Sequence, residues 1–123
     1  MNEPTGREPG ADPVLEVMRE DDSIVVRLGG ELDLFNAPRL RARLVALADE
    51  QPARLVVDLG EVEFLDSTGL GVLIEARTRL ANRNAFSLAA PGLETHRALQ
   101  ISGLDQHLTV HRSVSQALAA PPG

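Results

Sequence analysis

Apolar and polar residues follow two periods along the chain, and the switches between them mark the elements. Val14, Leu15 and Val17 predict a first short strand beginning near Pro13, Glu20-Asp21-Asp22-Ser23 a turn, and Ile24-Val25-Val26-Arg27-Leu28 a second strand. Gly29-Gly30 predicts a bend, after which Leu32 and Leu34 alternate with Asp33 and predict a third extended piece over residues 31–35. The period then becomes helical. Leu40, Leu44, Leu47 and Ala48 share one face, with Asn36 placed as N-cap and Pro38 in the first turn, where a missing amide hydrogen costs nothing; Gln51-Pro52 ends this helix. Residues 54–59 are apolar in their middle, Leu55-Val56-Val57, as a central strand buried on both faces should be. A second helix is expected through Val72, Leu73, Ala76 and Leu80, with Glu75 and Arg79 spaced to pair on its exposed side. Residues 85–89 predict a strand, 93–102 a helix stopped by Gly103, 107–111 an edge strand, and 113–119 a final helical turn or two. Strands alternating with helices imply right-handed crossovers, and so an α/β fold with a mixed sheet of four to five strands and helices mainly on one face.

Length and charge narrow the picture. At 123 residues the chain holds one compact domain, expected over residues 13–119. Residues 1–12, rich in Pro and Gly and without an apolar period, are expected to be a disordered tail, and 120–123 a frayed end. With no cysteine there is neither a disulfide framework nor a thiolate metal site. All 12 basic residues are arginine, and against 18 acidic ones they leave a net charge of −6, which opposes attraction to nucleic acid or anionic lipid. No apolar run approaches the roughly 20 residues that span a bilayer, and the opening Met1-Asn2-Glu3-Pro4-Thr5 lacks the basic-then-apolar order of a signal peptide, so the expected compartment is the cytoplasm. Nothing in the pattern demands more than a monomer.

Candidate chemistry concentrates in Asp66-Ser67-Thr68-Gly69-Leu70-Gly71, where two hydroxyls fall at the junction of a buried strand and an apolar helix. A helix start presents unpaired amides and the positive end of the dipole, so it receives an anion without strain, and a phosphate on Ser67 would be welcome there. Gly69 and Gly71 leave room beside the hydroxyl for another protein's backbone or an ATP γ-phosphate. The competing reading is that Ser67 or Thr68 merely caps the helix.

Two blocks in order make the sequence recognisable. Gly30-Glu31-Leu32-Asp33 followed by Asn36-Ala37-Pro38, and Val56-Val57-Asp58-Leu59 leading through Phe64-Leu65-Asp66-Ser67-Thr68-Gly69-Leu70-Gly71, resemble the STAS domain of bacterial anti-sigma factor antagonists. Ile101-Ser102-Gly103-Leu104 is similar to that family's closing helix-to-strand turn, and the resemblance extends from about Val14 to Leu118. It implies a non-enzymatic, phosphorylation-controlled binding protein whose unphosphorylated form binds an anti-sigma factor, itself a serine kinase, and frees the sigma factor. The accepting serine maps to Ser67 and the acidic residue of the Gly-Glu-Leu-Asp turn to Asp33. Asn36, Asp66, Thr68, Gly69, Leu70 and Gly71 are its switch-site and partner-binding neighbours, and Phe35 and Asn36 are positions that contribute to partner choice. No cofactor is implied on this chain, ATP or ADP belonging to the partner, and a serine phosphatase is implied for reactivation. A related module serving another signalling complex remains the alternative.

Other residues carry less. Asp33 either accepts a hydrogen bond from Ser67 or ends a strand in solvent; Asp66 either assists phosphate transfer or caps the helix; Asp58 is expected to hydrogen-bond backbone. His107 and His111 are four apart on a strand, a spacing that does not converge on a metal as it would on a helix, and His96 stands apart, so no metal site is expected. No Gly-x-Ser-x-Gly elbow supports a hydrolase, and a chain without lysine has no phosphate-binding Gly-x-x-x-x-Gly-Lys loop. Arg39, Arg41 and Arg43 read either as a docking patch or as an ordinary solvated face.

Overall fold

A computed structural model describes residues 12–121. The expected tail, except Asp12, and the last two residues of the expected frayed end lie outside that range. The described elements are β1 (Val14–Glu20), β2 (Ser23–Leu32), α1 (Ala37–Asp49), β3 (Arg54–Leu65), α2 (Ser67–Thr78), β4 (Phe86–Ala89), α3 (Leu93–Ser102), β5 (Thr109–His111) and α4 (Val114–Ala119). Single 3-10 turns cover Arg83–Ala85 and Leu104–Gln106. The five strands form one sheet in the order β1-β2-β3-β4-β5, with β1 antiparallel to β2 and the remaining pairs parallel.

That order explains the layering. When each parallel strand is laid beside the last in one direction and every crossover has the same hand, the connecting helices fall on one face. Alternate sheet residues Ile24, Val26, Leu28, Leu55, Val57, Leu59, Phe86 and Leu88 accordingly pack with Leu40, Leu44 and Leu47 of α1, Leu70 and Leu73 of α2 and Leu99 of α3. Each fully buried side chain of this size contributes about 1.5–3 kcal/mol. The opposite parity, Val25, Val56 and Ala89, meets Ala117 of α4 in a smaller cluster, so among the described helices α4 is the one that covers the second face.

Three expectations about the strands are corrected. The separate piece over residues 31–35 does not exist: β2 runs through Gly29-Gly30 to Leu32, with register shifts at Arg27/Gly29 and Gly30/Glu31, and residues 33–36 form a turn. The irregularity needs Gly30 at φ 77°, a left-handed conformation that favours glycine. The central strand does not stop at Leu59 but continues to Leu65, because β2 supplies a paired edge for residues 61–65. The last strand starts at Thr109, since residues 104–106 wind into a 3-10 turn after Gly103. At the ends, the Asp12 carboxylate accepts from the Val14 amide at 2.9 Å and pairs with Arg43, and the Ala120 carbonyl accepts from Arg54 Nη2 at 2.7 Å.

Candidate functional site

The parallel strands β2 and β3 end side by side, with Glu31 opposite Phe64 and Leu32 opposite Leu65, and the candidate site is built where both chains leave the sheet. Asp66 caps α2. One of its carboxylate oxygens accepts from the Thr68 amide at 2.9 Å and the Gly69 amide at 3.0 Å, while its own amide donates to the Leu32 carbonyl at 3.1 Å. The capping role is therefore taken by Asp66, not by Ser67 or Thr68. Ser67 is the first helical residue, exposed, and its hydroxyl has no hydrogen-bond partner among the described residues.

The same geometry corrects the idea that an anion is welcome at this helix start. The Leu70 amide already donates to the Asp66 carbonyl, and with Thr68 and Gly69 committed to the Asp66 carboxylate, few amides are left for a phosphate. A phosphate on Ser67 would stand beside a carboxylate holding the place it would otherwise take.

Across from Ser67, residues 33–36 are locked by their own side chains. The Asn36 side chain accepts from the Asp33 amide at 3.0 Å and donates to the Glu31 carbonyl at 2.6 Å. Asp33 accepts from the Phe35 amide at 3.0 Å. Two expectations change here. Asn36 occupies the N-cap position of α1, but it secures the preceding turn and makes no forward cap bond. Asp33 orients the loop, not Ser67, with which it shares no hydrogen bond among the described residues.

The neighbours expected to meet a partner divide by burial. Gly71 is exposed, Asp33, Asp66 and Thr68 are half-buried, and Asn36, Gly69 and Leu70 are buried, so Leu70 belongs to the core rather than to a contact surface. Gly69 has a different reason for being glycine than access to the hydroxyl. A Cβ there would lie 2.8 Å from the Leu32 carbonyl oxygen, whereas one at Gly71 would meet nothing within 4 Å.

Sequence reasoning missed two residues. Leu34 and Phe64 are 67% and 50% exposed and, with Phe35 at 71%, put three large apolar side chains on the strand ends and loop around Ser67. The alternation groups Leu34 with Leu32, but the turn over residues 33–36 leaves Leu34 exposed while Leu32 is buried. The available signal at Phe64 was the pair Phe64-Leu65: on a strand, consecutive side chains point to opposite faces, and Leu65 is the buried one. Exposed large apolar side chains on adjoining strand ends and a loop are surface that a partner can cover. Of the other readings, Asp58 bonds backbone as expected, accepting from the Gly60 amide at 2.9 Å. The arginine stripe is partly consumed by ion pairs, Arg41 with Glu75 and Arg43 with Asp12. Glu75 thus pairs across helices, and Arg79 turns to Asp49, replacing the expected Glu75–Arg79 pair.

The sequence pattern of the STAS domain family matches residues 15–117. The chain belongs to the STAS domain family. This STAS domain is 32% identical over 99 residues to the anti-sigma-F factor antagonist RsfB of Mycobacterium tuberculosis, covering 80% of this chain and 81% of that protein. It is 37% identical over 92 residues to the anti-sigma-B factor antagonist of Bacillus subtilis, covering 73% and 83%. A crystal structure of an anti-sigma factor antagonist from Mycobacterium paratuberculosis superposes with a TM-score of 0.78 at 34% identity, covering 84% of this chain and 88% of that one. The five-stranded mixed sheet with its four helices is the architecture of these domains. No described helix is long and apolar enough to cross a membrane.

Proposed function

We propose that this STAS domain is an anti-sigma factor antagonist that binds an anti-sigma factor with serine kinase activity through the surface around Ser67, and that phosphorylation of Ser67 ends the contact. The observation that carries this reading is the exposed, uncommitted Ser67 hydroxyl, left free because Asp66 does the capping. Leu34, Phe35 and Phe64 supply the apolar contact area, Gly71 a site where a partner's backbone can approach, and the hydrogen-bonded 33–36 turn a preorganised shape that costs little ordering entropy on binding. Its relatives bear antagonist names, which supports a role in binding rather than turnover.

In the modification step the γ-phosphoryl group of ATP, held by the partner, passes to Ser67 Oγ, ADP leaves, and the hydroxyl proton goes to a base of the partner or to water. The phosphate brings about −1.5 to −2 charge beside Asp66 and moves the formal net charge from −6 to roughly −8. A loss of about 3–4 kcal/mol at the interface is a few-hundred-fold loss of affinity. The domain acts as a cytoplasmic monomer without a cofactor of its own, and a serine phosphatase restores it.

Incubation with the partner anti-sigma factor and ATP, followed by peptide mass spectrometry, is expected to place one phosphate on Ser67. Modification confined to Thr68 or another residue would refute the assignment. Ser67→Ala is expected to retain binding and Ser67→Asp to lose much of it, the loss being partial because the mimic carries a single charge. Phe35→Asp is expected to weaken the complex at least tenfold with the melting temperature unchanged, as removal of an exposed apolar anchor should.

A further inference from the structure

The second sheet face holds a cleft that the switch does not use. It has a volume of about 180 Å³ and lies between the N-terminal end of β3, the strands β4 and β5, and the end of α4. Arg54, Asn84, Ser87, Thr109 and His111 line it, together with small apolar residues and Pro121. None of the lining residues is Asp or Glu, in a chain that carries 18 of them. Strand alternation puts Arg54, Ser87, Thr109 and His111 on one face, with Ser87 directly opposite Thr109 and Ala89 opposite His111.

The donors in this cleft are poorly served by the protein. Arg54 is half-buried and forms no ion pair among the described residues; Nη2 donates to the Ala120 carbonyl, and Nε is buried without an acceptor. The hydroxyls of buried Ser87 and of Thr109 likewise have no hydrogen-bond partner among the described residues. A half-buried guanidinium that keeps donors without a protein acceptor favours an anion that brings several acceptor oxygens. Arg39, Arg41 and Arg43, by contrast, are exposed on the outside of α1.

We propose that this cleft binds a phosphate group, held by Arg54 with the hydroxyls of Ser87 and Thr109 and with His111. The volume falls below the roughly 300–1,000 Å³ of sites for drug-sized molecules, so the recognised part is small. A planar carboxylate can be satisfied by a guanidinium fork alone, whereas a tetrahedral oxyanion keeps oxygens over for hydroxyls on the two neighbouring strands. Ser67 lies at the opposite, C-terminal end of β3, so the two sites are separate.

The test is titration of the isotopically labelled full chain with inorganic phosphate, followed by amide resonances against sodium chloride of equal ionic strength. Saturable shifts at Ser87, Thr109 and His111, with a Kd of about 1 mM, are expected. Arg54→Gln is expected to weaken binding at least about tenfold. Because that change also removes the bond to Ala120, Ser87→Ala is the second variant, keeping Arg54 in place and lowering affinity about threefold. A parallel arm with glycerol phosphate separates sources: tighter binding identifies a phosphorylated small molecule, equal binding free phosphate. Shifts that do not saturate, that match the chloride control, that arise at Ser67 instead, that survive both substitutions, or that acetate reproduces at the same concentration would overturn the proposal.

Discussion

At the scale of single residues, Asp66 and Ser67 divide work that the sequence left undivided. Asp66 satisfies two amides at the start of α2, so Asp66→Ala is expected to lower stability by about 1 kcal/mol, read as a lower urea midpoint with an unchanged slope. Asp66→Asn keeps an acceptor in place and should cost less; equal losses would mean that charge rather than the cap bond matters. Ser67 is exposed and bonded to nothing described, so Ser67→Asp should leave the melting temperature within about 2 °C of the parent. A large drop there would show that the new charge acts on the fold and not on the interface alone. The motif located these residues in the sequence. Which of the three oxygen-bearing side chains would cap was not legible, because Asp66, Ser67 and Thr68 are all competent and only the angle at which β3 enters α2 selects one.

Among the elements, the two glycines of α2 make opposite predictions. Gly69 lets the helix start sit against the end of β2, and Gly69→Ala would drive a methyl to 2.8 Å from the Leu32 carbonyl and Leu65 Cδ1, for a cost of about 1–3 kcal/mol. Gly71 faces open space in the same helix, so Gly71→Ala should stabilise by about 0.5–1 kcal/mol while placing a methyl on the proposed docking surface. Thermal unfolding of the two variants checks both signs, and a shared sign would contradict this packing. The sequence showed two glycines near a hydroxyl and nothing to tell them apart, because the difference lies in β2, more than thirty residues earlier. Extension of β3 past Gly60 was hidden for a similar reason: Glu61 and Glu63 look like loop until β2 is alongside.

For the molecule as a whole, α1, α2 and β1 are tied on their outer sides by charge. Glu75 is held below the usual carboxylate range by its hydrogen bond to Arg41, Asp49 by Arg79 and Glu50 by Arg19. Depressed carboxyl values in the folded state mean that these pairs support the fold above the ordinary carboxylate range and lose that support as pH falls through the lowered values. The urea midpoint is therefore expected to fall on acidification from about pH 5 toward pH 3, and Glu75→Gln to flatten part of that slope. Unchanged acid sensitivity in Glu75→Gln would remove this pair from the explanation. The pairs are exposed, so added salt should weaken them. From residue order alone came the α/β class, the succession of helices and most strands, the glycine stop at Gly103, the family and the serine of interest, because periodicity, turn residues and a contiguous motif are local properties of the chain. Tertiary structure decided the length of β2 and β3, the carboxylate that caps, the arginine–carboxylate pairs, the exposure of Leu34, Phe35 and Phe64, and the cleft beneath α4. Each of those depends on which distant segment lies alongside, and strand pairing and crossover packing bring together residues that the sequence keeps apart.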